Sequence, residues 1–351
     1  MKKNVLIIGA GLTGLLLAYK LKQQGIPVII LEARDRIGGR IHTYLSNQET
    51  PIEMGATWLG LQHKALVQLL KELHIPIYPQ YMDGKAWYEP TSLSPAYEVA
   101  LPPNESPSYR IQGGSISLIK KLAEPFTSEE LQLNTVVTKI EAQETQFKVT
   151  TQNNVFTASK VVTTLPPNLL VNTIQFEPKL PENLSAISKK THTWMGESIK
   201  FGISYNRAFW KDQDWSGTLF SNVGPITEMY DHSNSEQNKF ALKGFLDSSL
   251  SSQTKEARKI AVFEQLKRSF GEEALSYLSY EETIWKDQKY TSTPYENYVL
   301  PHQNNGQAIY KNTYYNDRYY IAGSETAQIY GGYMEGAVQS AQTCFEHILQ
   351  R

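Results

Sequence analysis

Four apolar residues, Val5–Ile8, run into glycines spaced as Gly9-x-Gly11-x-x-Gly14. The next stretch, Leu12–Gln23, takes up a helical rhythm that sets Leu15, Leu16, Ala18 and Leu21 toward a sheet. Gly25-Ile26-Pro27 turns the chain, and Val28–Leu31 forms a second short apolar run ending at Glu32. Strand, helix and strand in this order predict a βαβ unit. Further on, Leu61–Glu72 is amphipathic and helical, and Gln112-Gly113-Gly114 opens another helix through Leu122. Val136–Ile140, Gln146–Gln152 and Val155–Thr164 alternate like strands of a small antiparallel ribbon, stopped by Leu165-Pro166-Pro167. Ile199–Tyr205, Thr218–Ser221, Ile226–Tyr230 and Ala241–Phe245 predict a second sheet, with Lys255–Phe270 as a helix against it. Tyr81–Arg110, rich in Pro, Ser, Tyr and Gly, reads as irregular. Near the end, Tyr319–Ala322 is a further apolar strand, with a helix beginning near Gly332–Met334.

Composition narrows the classes. A chain of 351 residues can hold two domains, each with its own core. A formal net charge of -1 supplies no electrostatic footprint for nucleic acid or an anionic membrane. Cys344 is the only cysteine, which leaves no intrachain disulfide or cysteine metal cluster and fits a reducing cytosol. Lys2-Lys3 followed by Val5–Ala18 mimics a secretory leader, but the dinucleotide spacing of the glycines explains the same apolarity. No stretch reaches the ~20 apolar residues of a membrane span. A cytoplasmic protein is expected.

The chemistry begins at the glycines. Gly9, Gly11 and Gly14 permit a tight turn and close backbone approach, and the helix start at Leu12 and Thr13 faces a pyrophosphate. Glu32, 18 residues after Gly14, is placed to take ribose hydroxyls, next to Ala33 and Arg34. Arg36, Gly38, Gly39 and Arg40 follow. Cations beside two glycines suit a diphosphate, although a solvated basic loop would read the same way. Lys200 sits inside the apolar alternation Ile199–Ile203, where a lysine is costly to bury unless it faces solvent. The C-terminal Gly323-Ser324-Glu325 segment answers the N-terminal fingerprint. A nicotinamide enzyme needs only the first of these elements, whereas a chain that closes both ends around one long cofactor suits a flavoprotein.

Together, VLIIGAGLTGL, LEARDRIGGRIHT, EMGATWLG, the TTLPP turn, MGESIKFGISY, Trp285 with Tyr290 and Tyr295, and AGSETAQIYGGYMEGAVQSA resemble the flavin-containing amine oxidase family over nearly the whole chain. The resemblance implies a Rossmann-like FAD-binding α/β domain with a second, mixed-sheet substrate domain. The FAD domain would comprise 1–80, 111–190 and 288–351, and the substrate domain 81–110 and 191–287. It implies that Arg36, Gly38, Gly39 and Arg40 contact the diphosphate, and that Gly55, Ala56, Thr57 and Trp58 pass close to the flavin. It places Val137 at the adenine and Glu325, with Gly323 and Ser324, near the ribityl and phosphate region. The helix starting at Tyr333 and Met334 would point its positive end at the flavin pyrimidine edge. Lys200 would be held through a water to flavin N5 and take part in reoxidation. Tyr295 and Tyr333 would flank the amine, although either tyrosine alone reads equally as a packing residue.

Two departures from the family stand out. Pro294 occupies the position where some members carry a flavin-linking cysteine, so the FAD should be non-covalent. Tyr81–Arg110 is much shorter than the family's channel-covering insertion. The implied reaction is oxidation of a small-molecule amine to an imine, hydrolysed to an aldehyde or ketone, with O2 reduced to H2O2. The alternatives are another FAD-dependent oxidoreductase of the same fold group, such as a desaturase or protoporphyrinogen-oxidase-like enzyme, or a non-catalytic FAD-binding protein. Arg110 is a candidate for binding a substrate carboxylate, and Glu335 reads either as a cofactor-side acid or as a complement to its helix dipole.

Overall fold

The computed structural model describes residues 4–46, 49–103 and 105–350; Lys2 and Lys3 of the leader-like start lie outside them. Val5–Ile8 and Val28–Leu31 pair in parallel, with Leu12–Gln23 as the crossover helix. The sheet continues on both sides to five strands in the order Tyr319–Ile321, Lys160–Thr163, Val5–Ile8, Val28–Leu31 and Leu131–Gln132, every pair parallel. One face packs against Leu12–Gln23, Lys64–Glu72, Ile116–Ala123 and the C-terminal helix Met334–Leu349. The other packs against a four-stranded sheet ordered Val155–Ala158, Phe147–Thr151, Val137–Ala142 and Gln175–Glu177. Both faces are covered, which is why the central strands Val5–Ile8 and Val28–Leu31 are uniformly apolar.

The predicted strand Val155–Thr164 is two strands. Val155–Ala158 closes the antiparallel ribbon, while Lys160–Thr163 enters the parallel sheet. Ser159 marks the switch: its amide donates to Asn4 Oδ1 at 3.1 Å and its hydroxyl to Asn4 O at 2.7 Å. Both halves alternate acceptably, so periodicity alone cannot show that the chain changes sheets.

A seven-stranded sheet with a core of its own is ordered Tyr277–Ile284, Ile199–Tyr205, Phe240–Leu246, Ile226–Asp231, Trp215–Ser221, Lys85–Glu89 and Tyr97–Ala100. Every one of its strands falls within 81–110 or 191–287. The helix Lys255–Phe270, N-capped by Thr254 Oγ1 on the Ala257 amide at 3.2 Å, covers one face. The region expected to be irregular thus supplies a β-hairpin. Lys85–Glu89 pairs with Tyr97–Ala100 and runs parallel to Trp215–Ser221. Its aromatic residues were legible, but its second partner, Trp215–Ser221, lies more than a hundred residues away, and Pro and Ser around the hairpin masked the alternation. Among the described residues, no helix is long and apolar enough to cross a membrane.

Candidate active site

The first glycine loop, the loop Arg36–Arg40 and the start of the C-terminal helix converge on one cavity of about 410 Å³. Gly9 has φ 108° and Gly14 sits so close beneath it that a Cβ there would lie 2.0 Å from Gly9 O. Gly38 donates its amide to Ala10 O at 2.8 Å, and a Cβ on Gly39 would come within 3.3 Å of Gly11 Cα. These contacts press two glycine loops together. A Cβ on Gly11, by contrast, would meet nothing within 4 Å and would point into the open cavity. Thr13 Oγ1 donates to Ala337 O at 3.2 Å, tying the first and last helices together where both begin.

Along the cavity wall, Glu32 is buried and each of its oxygens takes one backbone amide, Ala10 N at 2.7 Å and Arg34 N at 2.9 Å. A carboxylate retains further lone pairs after two such bonds. Arg34, whose guanidinium donates to Tyr290 O at 3.2 Å and Thr291 Oγ1 at 2.5 Å, lines the same wall, with Ala33 beside it. Arg40 lines the cavity too and is ion-paired with the fully buried Glu325 at 2.6 Å. Leu12, Thr13, Ala56, Val137, Ser324, Tyr333 and Met334 complete the sequence-selected lining.

Several expected contacts lie elsewhere. Arg36 is not part of the lining. Its guanidinium donates to the carbonyls of Ile37, Gly39 and Ile41, at 3.1–3.3 Å, and so holds the glycine loop from behind. Gly323 bonds Ser340 Oγ through its amide at 2.9 Å. Arg110 is buried and donates to Ser233 O at 2.9 Å and His232 O at 3.2 Å; a guanidinium committed to two carbonyls under Tyr78 is not available to a substrate carboxylate. Glu335 is an interhelix cap. Its carboxylate accepts the amides of Ala65 at 3.1 Å and Leu66 at 2.7 Å, at the start of the helix Lys64–Glu72, which has no side-chain cap of its own.

Lys200 is buried on the strand Ile199–Tyr205, and its ammonium donates to Gly55 O at 2.5 Å. Burial pushes its pKa down to about 8. The following residues of that segment are held from a second side, because Lys243 Nζ donates to Thr57 Oγ1 at 2.9 Å and lies 3.8 Å over the Trp58 ring. Thr57 Oγ1 in turn donates to Gly55 O at 3.1 Å. Sequence reading missed Lys243. The signal was there, a lysine inside the apolar run Phe240–Leu246, but only the strand pairing sets it beside Lys200.

Tyr295 and Tyr333 are connected through other rings. The Tyr295 hydroxyl accepts the Thr193 amide at 2.8 Å, and its ring stacks on His192 at 6.4 Å and 21°. His302 lies parallel to Tyr333 at 5.7 Å and 9°, and against Trp194 at 4.1 Å. His192 and His302 meet at 6.4 Å. Among the described residues no ring contact joins the two tyrosines directly, and only Tyr333 lines the cavity. His192, Trp194 and His302 escaped sequence reading because they lie in loops without periodicity.

The model of the family of flavin containing amine oxidoreductases matches residues 12–92 and 91–349. The chain belongs to this family of amine oxidases. It is accordingly a flavin-dependent enzyme of amine oxidation, with FAD as its cofactor. A probable flavin-containing monoamine oxidase A of Dictyostelium discoideum is 25% identical over 440 positions, covering 96% of this chain and 95% of the relative. The human flavin-containing amine oxidase B is 23% identical, with 99% and 86% covered. Among solved structures, cyclohexylamine oxidase from Brevibacterium oxydans superposes with TM-score 0.86 at 21% identity, and a putrescine oxidase bound to putrescine with 0.85 at 21%, each covering 100% of both chains. The aligned lengths with the amine oxidase relatives exceed the 351 residues here, so those relatives carry segments that this chain lacks.

The amine oxidase's own residues fit FAD. The open space above Gly11 leaves room for a diphosphate against a helix start, Arg40 offers positive charge, and Glu32 presents spare acceptor capacity to hydroxyls. The cavity volume lies within the ordinary range of cofactor sites.

Proposed function

We propose that this chain oxidises the carbon next to a neutral amine, using O2 as the final electron acceptor. The amine loses two electrons and two protons to give an imine. Water then splits the imine to an aldehyde or ketone plus ammonia or a smaller amine, and O2 gains the same two electrons and two protons to become H2O2. Bound FAD supplies the two-electron acceptor between these half-reactions.

The protein's own contribution is positioning and electrostatics. In this reading Glu32 holds the ribose hydroxyls, and the Gly9–Gly14 turn with Gly38, Gly39 and Arg40 receives the diphosphate, while Arg36 braces that loop. Val137 meets the adenine. Gly55–Trp58 and the start of the helix at Met334 approach the ring system. Tyr333 is the ring that meets the amine, and Tyr295, with His192 stacked on it, forms the farther wall. Lys200 holds a proton at Nζ for the oxygen half-reaction. The FAD domain is formed by 1–80, 111–190 and 288–351, and the substrate domain by 81–110 and 191–287. The observation that carries the reading is the single cavity running from the buried Glu32 past Gly11 and Arg40 to Tyr333.

The test is a visible spectrum of purified protein followed by anaerobic mixing with primary amines, polyamines and amino acids. Flavin bleaching by an amine and peroxide on readmitting oxygen are expected. A yellow protein that no amine bleaches would favour another oxidoreductase of the same fold group.

A further inference from the structure

We propose that Lys243 is a positioning residue of the amine-oxidising site: its uncharged amine accepts a hydrogen bond from the Lys200 ammonium, so that the two buried lysines carry one proton between them. The inference rests on the assignment of Lys200 given above. Lys243 is fully buried, and its strand Phe240–Leu246 pairs directly with the Lys200 strand, with Lys243 opposite Gly202 and Phe245 opposite Lys200. Both side-chain nitrogens lie 4.8 Å from the Phe245 ring centroid. Both also converge on Gly55–Trp58, Lys200 on the Gly55 carbonyl and Lys243 on Thr57, whose hydroxyl shares that carbonyl.

Two adjacent ammonium ions in an apolar enclosure would each lose hydration and repel the other, a cost that loss of one proton removes. Other charged and titratable groups around the pair are Glu53, Arg110, Glu228 and His232. Arg110 works against a proton on Lys243, whereas Glu53 and Glu228 favour one; burial and Lys200 prevail and hold the Lys243 amine well below the usual lysine range. Burial is the largest influence on Lys200 and holds its proton affinity down, while Glu53, then Glu228, and last the neighbouring Lys243 amine raise it. The balance makes Lys243 the acceptor and Lys200 the donor. Lys243 therefore acts through Lys200 and through the placement of Thr57 and Trp58.

The test uses holoenzyme with 15N-labelled lysine side chains and follows both Nζ resonances across pH by NMR. In the wild type, Lys243 is expected to be neutral at pH 7 while Lys200 is charged. A charged Lys243 at pH 7 would overturn the proposal without any variant being needed. In Lys243→Met the Lys200 titration should move down by about one pH unit, because its acceptor is gone. An unmoved or raised midpoint would also overturn it. The alkaline limb of the oxygen half-reaction should shift with the same sign. A wild type that oxidises amines but whose rate is indifferent to Lys200→Met would remove Lys200 from the mechanism, while the NMR titration would still decide the pairing.

Discussion

Arg40 and Glu325, 285 positions apart in sequence, meet in an ion pair 2.6 Å long at the wall of the cavity. Glu325 has no exposed side-chain surface, and Arg40 also donates to Ser324 Oγ at 2.8 Å. This pair closes the N-terminal glycine loops onto the C-terminal segment. The site therefore exists only once the two ends of the chain have come together.

Glu325→Ala should destabilise the protein by about 3 kcal/mol, because Arg40 would keep its largely buried charge without a partner. Chemical denaturation of the apoprotein measures this directly. A loss below about 1 kcal/mol would mean that the pair is not what joins the ends.

Gly11→Ala and Gly14→Ala should part company. At Gly11 the backbone is extended, with φ -76° and ψ -178°, and a Cβ meets no protein atom within 4 Å, so the variant should fold with an unchanged melting temperature as apoprotein. Its methyl intrudes on the cavity, and FAD affinity should fall by about tenfold or more, roughly 1.4 kcal/mol. At Gly14 the methyl would strike Gly9 O at 2.0 Å, and the fold itself should suffer. Thermal melts with and without added FAD distinguish the two outcomes.

Lys200→Met should keep the yellow chromophore while slowing the reaction of reduced enzyme with oxygen, on the order of 100-fold. Stopped-flow reoxidation measures it, and an unchanged rate would remove Lys200 from that step. Stability should respond as well. With its pKa lowered to about 8 in the folded state, Lys200 binds fewer protons folded than unfolded between about pH 8 and the ordinary lysine value of 10.5. Wild-type stability therefore gains from this group as pH rises through that window. Below pH 8 the buried charge costs about 3 kcal/mol, which the methionine variant avoids. The stability advantage of the variant should accordingly be largest below pH 8 and shrink toward pH 10.5.

Acid precipitation should release all the flavin into the supernatant. Pro294 precedes Tyr295, where some amine oxidases attach FAD through a cysteine, and the lone Cys344 is buried on the C-terminal helix. Colour remaining in the pellet would show a covalent bond at some other side chain.

By itself the sequence determined the parts whose cause is local. Val5–Ile8, Leu12–Gln23 and Val28–Leu31 stand where their periodicity places them, because a βαβ unit encodes its strands, its helix and its Gly9–Gly14 turn within about thirty residues. Glu32 was legible for the same reason, being fixed by its distance from the glycines. Only the tertiary structure decided matters that depend on which strand lies beside which. The pairing of Phe240–Leu246 with Ile199–Tyr205 sets Lys243 beside Lys200, and long-range pairing turns Lys85–Glu89 from apparent loop into sheet. Likewise Glu335 caps another helix, Arg36 braces its own loop and Arg110 serves buried carbonyls. A charged residue type states what chemistry is available. Its partner is chosen by the low-dielectric neighbourhood that folding assembles, where each buried polar group must find a complement.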